Sequence, residues 1–165
     1  MAGTILSEDV IALARRVVDE CQKAGKRVAL AESCTGGLVG AALTEIPGAS
    51  AVLDRGFVTY SNESKQEVLD VKLDILEAFG AVSVATAWAM AKGAIAKSDA
   101  DYAVAISGVA GPDGGSDLKP VGTVVFARAD RDSDEVNAEE KLLDGKDRAD
   151  IRRQATLVAL ELLLP

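Results

Sequence analysis

The chain has 165 residues, 48% hydrophobic and 27% charged, with a net charge of −8. That length suits one domain over residues 1–165, able to bury roughly 70% of its unfolded surface, and the acidic balance argues against gripping a nucleic-acid backbone, which needs a basic face. No apolar run approaches the roughly 20 residues of a membrane span, no export signal heads the chain, and two lone cysteines with no histidine speak against both a disulfide framework and a zinc site. A cytoplasmic α/β domain is expected, using no metal or cofactor and binding neither nucleic acid nor membrane.

In chain order, Ser7 reads as an N-cap with Glu8 and Asp9 in the first helical turn. Val10, Leu13, Ala14, Val17, Val18 and Cys21 follow at helical spacing, and Gly25 is a natural stop. Cys21 on that stripe reads as core. Residues 27–32 read as a first strand, 36–44 as a short helix, Pro47-Gly48 as a turn and 53–60 as a second strand. Residues 62–69 and 73–79 read as helices, and Ser83 caps an alanine-rich helix to about residue 97. Residues 102–107 form an expected third strand, apolar enough between its ends to be buried on both faces. A glycine-dense loop, Gly108 to Ser116, leads to strands at 121–129 and 136–143 and a final helix from about Asp147. Strands alternate with helices until the third and fourth, which a loop joins. The expectation is therefore a three-layer α/β/α sandwich with a mixed, mostly parallel five-stranded sheet.

Ligands of such sheets bind beyond the carboxyl ends of the strands. Three of those ends carry polar groups: Glu32-Ser33-Cys34-Thr35, then Thr59-Tyr60-Ser61-Asn62 with Lys65 one turn into the next helix, then Ser107 and the glycine loop. With no histidine, a Ser-His or Cys-His pair is impossible. Lys65 is the candidate base, neutral only if burial or a nearby cation lowers its pKa, and Tyr60 is a candidate relay. As a plain helix residue, Lys65 would instead be solvated. Ser33 is either a nucleophile or a helix cap. Cys34 is a nucleophile activated by the helix N-terminus, or a packing residue. The glycine loop lacks the Lys-Ser/Thr ending of a Walker motif, so it reads as an anion cradle of backbone N–H groups or as a flexible turn. Arg148 and Arg152, four apart on the last helix, either clamp a phosphate or carboxylate or are solvated. Glu32 and Asp113 are the carboxylates nearest this chemistry.

Four stretches stand together in order: Ala31-Glu32-Ser33-Cys34-Thr35-Gly36-Gly37, Gly56-Phe57-Val58-Thr59-Tyr60-Ser61-Asn62, Ser107 to Gly115, and Lys119-Pro120-Val121-Gly122-Thr123-Val124. In this the chain closely resembles the C-terminal domain of the competence/damage-inducible CinA proteins, whose stand-alone form is a nicotinamide-nucleotide amidase. The likeness runs from the first helix to Arg152-Arg153-Gln154-Ala155-Thr156. Longer members carry an N-terminal domain similar to molybdopterin-binding proteins. No counterpart stands in these 165 residues, so no activity of that domain is expected.

The resemblance implies hydrolysis of the carboxamide of nicotinamide mononucleotide to nicotinate mononucleotide and ammonia. It implies Ser33 as nucleophile with Lys65 and Tyr60 as its catalytic partners. It implies that Arg148, and second to it Arg152, holds the substrate, with Ser107 as the hydroxyl after the third strand. Backbone N–H groups around Cys34, Thr35 and Gly36 and in the loop with Gly108 and Gly111 are the expected cradle for the oxyanion and the phosphate. The family sandwich and a homodimer are implied as well. Rival expectations are a non-catalytic nucleotide-binding or protein-interaction module and an amidase for a different small amide.

Overall fold

The computed structural model describes residues 3–165, and its order of elements follows the alternation of strand-like and helical stretches. Helix α1 (Glu8–Ala24) leads to β1 (Val28–Glu32), α2 (Leu38–Thr44) and β2 (Leu53–Val58). Three helices follow, α3 (Asn62–Leu69), α4 (Leu73–Phe79) and α5 (Val84–Ala96). The chain then adds β3 (Tyr102–Gly108), β4 (Thr123–Asp130), β5 (Asn137–Leu142) and α6 (Arg148–Leu162). The sheet order is β2-β1-β3-β4-β5. β1 pairs in parallel with both β2 and β3, whereas β3–β4 and β4–β5 are antiparallel. The sheet is therefore evenly mixed by pairing, less parallel than expected, although β4 alone runs against the other four strands.

The period of two in each strand sorts side chains onto two different faces. Val28, Leu30, Val104, Ile106, Val124 and Phe126 point to the layer of α1, α2 and α6. Ala29, Ala31, Ala103, Ala105, Ala127 and Ala129 point the other way, to the layer containing α5. An alanine face offers little bulk, so α5, itself rich in Ala and Gly, lies close against the sheet. The same helix presses on α3, where a Cβ on Gly93 would sit 2.1 Å from the Leu69 carbonyl oxygen. Cys21 is buried in the first layer, as its helical position implied.

Three boundaries move by two residues from the sequence reading, β2 ending at Val58 rather than at residue 60. Helix α2 starts at Leu38 because Gly36 and Gly37 adopt φ of 58° and 98°, left-handed values that hold residues 33–37 in a turn. Strand β4 starts at Thr123, after Gly122 at φ 97°. The connection from β1 to β2 runs to one side of β1, and β3 lies on its other side. The carboxyl end of β1 is thus the switch point of the sheet, where a crevice forms.

Candidate active site

The parallel register brings the strand ends level. Glu32 of β1 aligns with Val58 of β2 and Ile106 of β3. The ladder continues one residue further, with the Ser33 N–H donating to the Ile106 carbonyl (2.9 Å) and the Thr59 N–H to the Glu32 carbonyl (2.9 Å). Ser33, Thr59 and Ser107 therefore emerge side by side. A cleft of about 170 Å³ opens there, walled by Ser33, Lys65, Ser107, Tyr60 and Arg148, with Ala81, Val82 and Ala110 as apolar lining.

Lys65 is brought in by α3, whose first turn is capped by Ser61 accepting from the Ser64 N–H. Its side chain is 1% exposed. The Lys65 Nζ lies 3.1 Å from Ser33 Oγ and donates to the carbonyls of Thr59 (2.8 Å) and Tyr60 (3.1 Å). Burial pushes the Lys65 amine below the ordinary lysine range. Once neutral, the amine satisfies both carbonyls with its two N–H groups, which leaves its lone pair for the Ser33 hydroxyl. The solvated alternative for Lys65 does not hold.

Cys34 behaves oppositely to a nucleophile. Burial, assisted by the charge of Glu32, pushes its thiol up to about 11, so it stays protonated near neutral pH. The helix N-terminus does not activate it, because Glu32 occupies the amides there. The Glu32 carboxylate is 2% exposed and accepts from Thr35 Oγ1 (2.6 Å) and from the N–H groups of Gly37 (3.0 Å), Val39 (3.2 Å) and Gly40 (2.9 Å). Thr35 is buried with its hydroxyl on that carboxylate, and Gly36 turns outward with its N–H on the Ser33 carbonyl (3.0 Å). Neither lines the cleft.

The two arginines part company. Arg148 lines the cleft, donating to the Gly111 carbonyl (2.8 Å) and the Tyr60 hydroxyl (3.3 Å). Arg152 faces away from it, its Nε and Nη2 donating to the carbonyls of Cys34 (3.1 Å) and Thr35 (3.2 Å). Tyr60, 62% exposed, stands at the mouth with its hydroxyl toward Arg148 while its carbonyl holds Lys65. Ser107 is 2% exposed, and its hydroxyl makes no hydrogen bond among the described residues. Gly108 lines the floor, while Gly111 contributes its carbonyl to Arg148 from outside the lining. Asp113 lies exposed, away from the lining. Ala81, Val82 and Ala110 carry no chemical signal, and sequence reasoning missed them. Among the described residues, no group of three or more His, Cys, Asp or Glu is placed to hold a metal ion, and no helix is long and apolar enough to cross a membrane.

Comparison with known proteins bears on this arrangement. Residues 10–165 match the family model of the CinA C-terminal domain. The chain is 46% identical over 155 residues to the nicotinamide-nucleotide amidohydrolase PncC of Escherichia coli (strain K12), covering 94% of this chain and 93% of that protein. It is 45% identical over 163 residues to a CinA-like protein of Shewanella loihica, covering 99% of this chain but spanning 38% of that protein's length. The crystal structure of the competence/damage inducible protein CihA from Agrobacterium tumefaciens superposes with a TM-score of 0.93, at 46% identity, covering 98% of this chain and 97% of that one.

Proposed function

The chain belongs to the CinA C-terminal domain family, and from that premise we propose that it hydrolyses the carboxamide of nicotinamide mononucleotide, releasing ammonia and nicotinate mononucleotide. The observation that carries the reading is the 3.1 Å approach of Lys65 Nζ to Ser33 Oγ at the floor of the cleft.

Neutral Lys65 takes the Ser33 proton as Oγ attacks the carboxamide carbon. The carbonyl electrons move onto oxygen, and the oxyanion meets the Cys34 N–H, which has no backbone partner among the described residues. As the tetrahedral adduct collapses, the Lys65 ammonium protonates the departing nitrogen and ammonia leaves. Water then attacks the acyl-serine ester, Lys65 again accepting the proton, and Ser33 is regenerated with the free carboxylate.

A cleft of about 170 Å³ is smaller than a whole-ligand pocket of roughly 300–1,000 Å³. It suits the carboxamide ring against Val82 and Ala110, with the Ser107 hydroxyl free for the amide. The ribose phosphate then lies at the mouth, where Arg148 is the cation within reach. The same reading has the protein act in the cytoplasm as a homodimer, on a small nucleotide without a cofactor.

Ammonia release from nicotinamide mononucleotide, free nicotinamide, nicotinamide riboside and glutamine tests it. The mononucleotide is expected to be turned over with the highest kcat/KM. Preferred turnover of glutamine or free nicotinamide would reassign the substrate, and no release from any of the four would remove the amidase reading.

A further inference from the structure

We propose that Glu32 and Arg152 form a two-sided clamp on the nucleophile turn, acting as positioning residues for Ser33 and its neighbouring amides rather than as substrate ligands. The proposal deepens the amidase reading and rests on it.

Backbone donors across the turn can be followed one by one. The Gly36 N–H is taken by the Ser33 carbonyl, and the Leu38 N–H by the Thr35 carbonyl. Those of Gly37, Val39 and Gly40 end on Glu32. Of the turn's amides, only those of Cys34 and Thr35 are left without either a backbone or a Glu32 partner among the described residues.

Planar trans peptides fix where those two point, because N–H and C=O of one peptide face opposite ways. The Ser33 carbonyl is turned to Gly36, so the Cys34 N–H faces away from the helix start. The Cys34 carbonyl is turned to Arg152, so the Thr35 N–H faces away from the guanidinium. The guanidinium on the Cys34 carbonyl also polarises the Cys34–Thr35 peptide, strengthening the Thr35 N–H as a donor. Glu32 consumes the remaining amides from the opposite side. The turn is thereby left one orientation for Ser33 and a pair of unspent donors beside it. Arg148, one helical turn before Arg152, carries the substrate-facing role alone.

The test uses the full chain with Arg152→Met, Arg152→Lys and Glu32→Gln. Two measurements are made: the rate at which a fluorophosphonate labels Ser33, read by intact mass, and kcat and KM for nicotinamide mononucleotide and nicotinamide riboside. The clamp predicts that Arg152→Met lowers labelling and kcat about 100-fold, the scale of a misplaced reacting group. The loss is equal on both substrates, with KM within about threefold of wild type. Arg152→Lys recovers part of it, since one ammonium cannot span both carbonyls, and Glu32→Gln falls in the same direction. Should Arg152→Met melt early, Arg152→Lys carries the same comparison. A selective rise in KM for the mononucleotide at unchanged kcat and labelling would make Arg152 a phosphate ligand and overturn the clamp, as would wild-type values throughout. If no amide is hydrolysed by wild type yet labelling still falls in Arg152→Met, the amidase reading fails and the clamp stands.

Discussion

At the scale of single residues, Lys65 is the base that the proposed mechanism uses, and it carries a cost to stability. Its amine is buried with two carbonyls and a hydroxyl around it, and among the described residues no carboxylate lies within ion-pair distance. Burial holds its folded pKa below that of the unfolded chain, about 10.4. The protonated form therefore destabilises the fold fully below the folded pKa, and this cost fades as pH rises toward the unfolded value. In Lys65→Met the two carbonyls lose their donors, which sets a constant offset. The pH dependence isolates the charge: wild type should gain on the variant with rising alkaline pH, by at most about 1.4 kcal/mol per unit, in denaturant titrations. A pH-independent difference would mean that Lys65 titrates normally. Activity should rise with pH as Lys65 deprotonates. Tyr60→Phe separates relay from mouth residue: with Lys65 already on Ser33, kcat should stay within about tenfold, below the usual worth of a general acid or base. The missing histidine pointed to a lysine base, and Ser33 stood at a strand-to-helix turn, so this pair was legible in the sequence. The division of labour between Arg148 and Arg152 was not, because their spacing places them one turn apart without saying which carbonyls lie beneath each.

At the scale of elements, the site depends on how α3 is held. Helix α5 packs on both the alanine face of the sheet and α3, and at Gly93 there is no room for a Cβ against the Leu69 backbone. Gly→Ala inside a helix ordinarily stabilises by about 1 kcal/mol. Here the added Cβ would meet the Leu69 carbonyl, so Gly93→Ala should destabilise by about 3 kcal/mol, as overpacking does. Thermal melting checks the sign. The alternation of apolar strands and helices was readable from periodicity and caps. The start of α2 was not: Ser33 reads as a helix cap and Gly36 as the first helical residue, while the actual cap is the Glu32 side chain reaching forward from the preceding strand. Sequence spacing shows a carboxylate near the turn, but not that it is spent on backbone amides.

At the scale of the whole molecule, the strand order puts chemistry at one end of the sheet and structural ion pairing at the other. At that far end the Asp54 side chain, 8% exposed, accepts from the Asp99 N–H (3.0 Å) and pairs with Arg27 (3.0 Å) and Arg55 (3.2 Å). The Asp99 amide, and then the two arginines, hold its carboxyl below the usual aspartate range. Its contribution is thus present above the unfolded pKa of about 3.9 and lost as pH falls through the folded value. Asp54→Asn should lower stability by about 2 kcal/mol at neutral pH, with the difference closing in acid. Convergence of the three strand ends was foreseeable once parallel pairing was assumed. The size of the cleft was not, because Ala81, Val82 and Ala110 enter it from loops that no periodicity marks. The central claim is that Ser33, not Cys34, is the nucleophile that Lys65 activates. Ammonia release from nicotinamide mononucleotide by Ser33→Ala and Cys34→Ala, side by side with wild type, tests it most directly. Ser33→Ala should lose about 10⁴-fold or more in kcat, as removal of a nucleophile does, while Cys34→Ala stays within about tenfold. The reverse order, or turnover by Ser33→Ala within tenfold of wild type, would contradict the account.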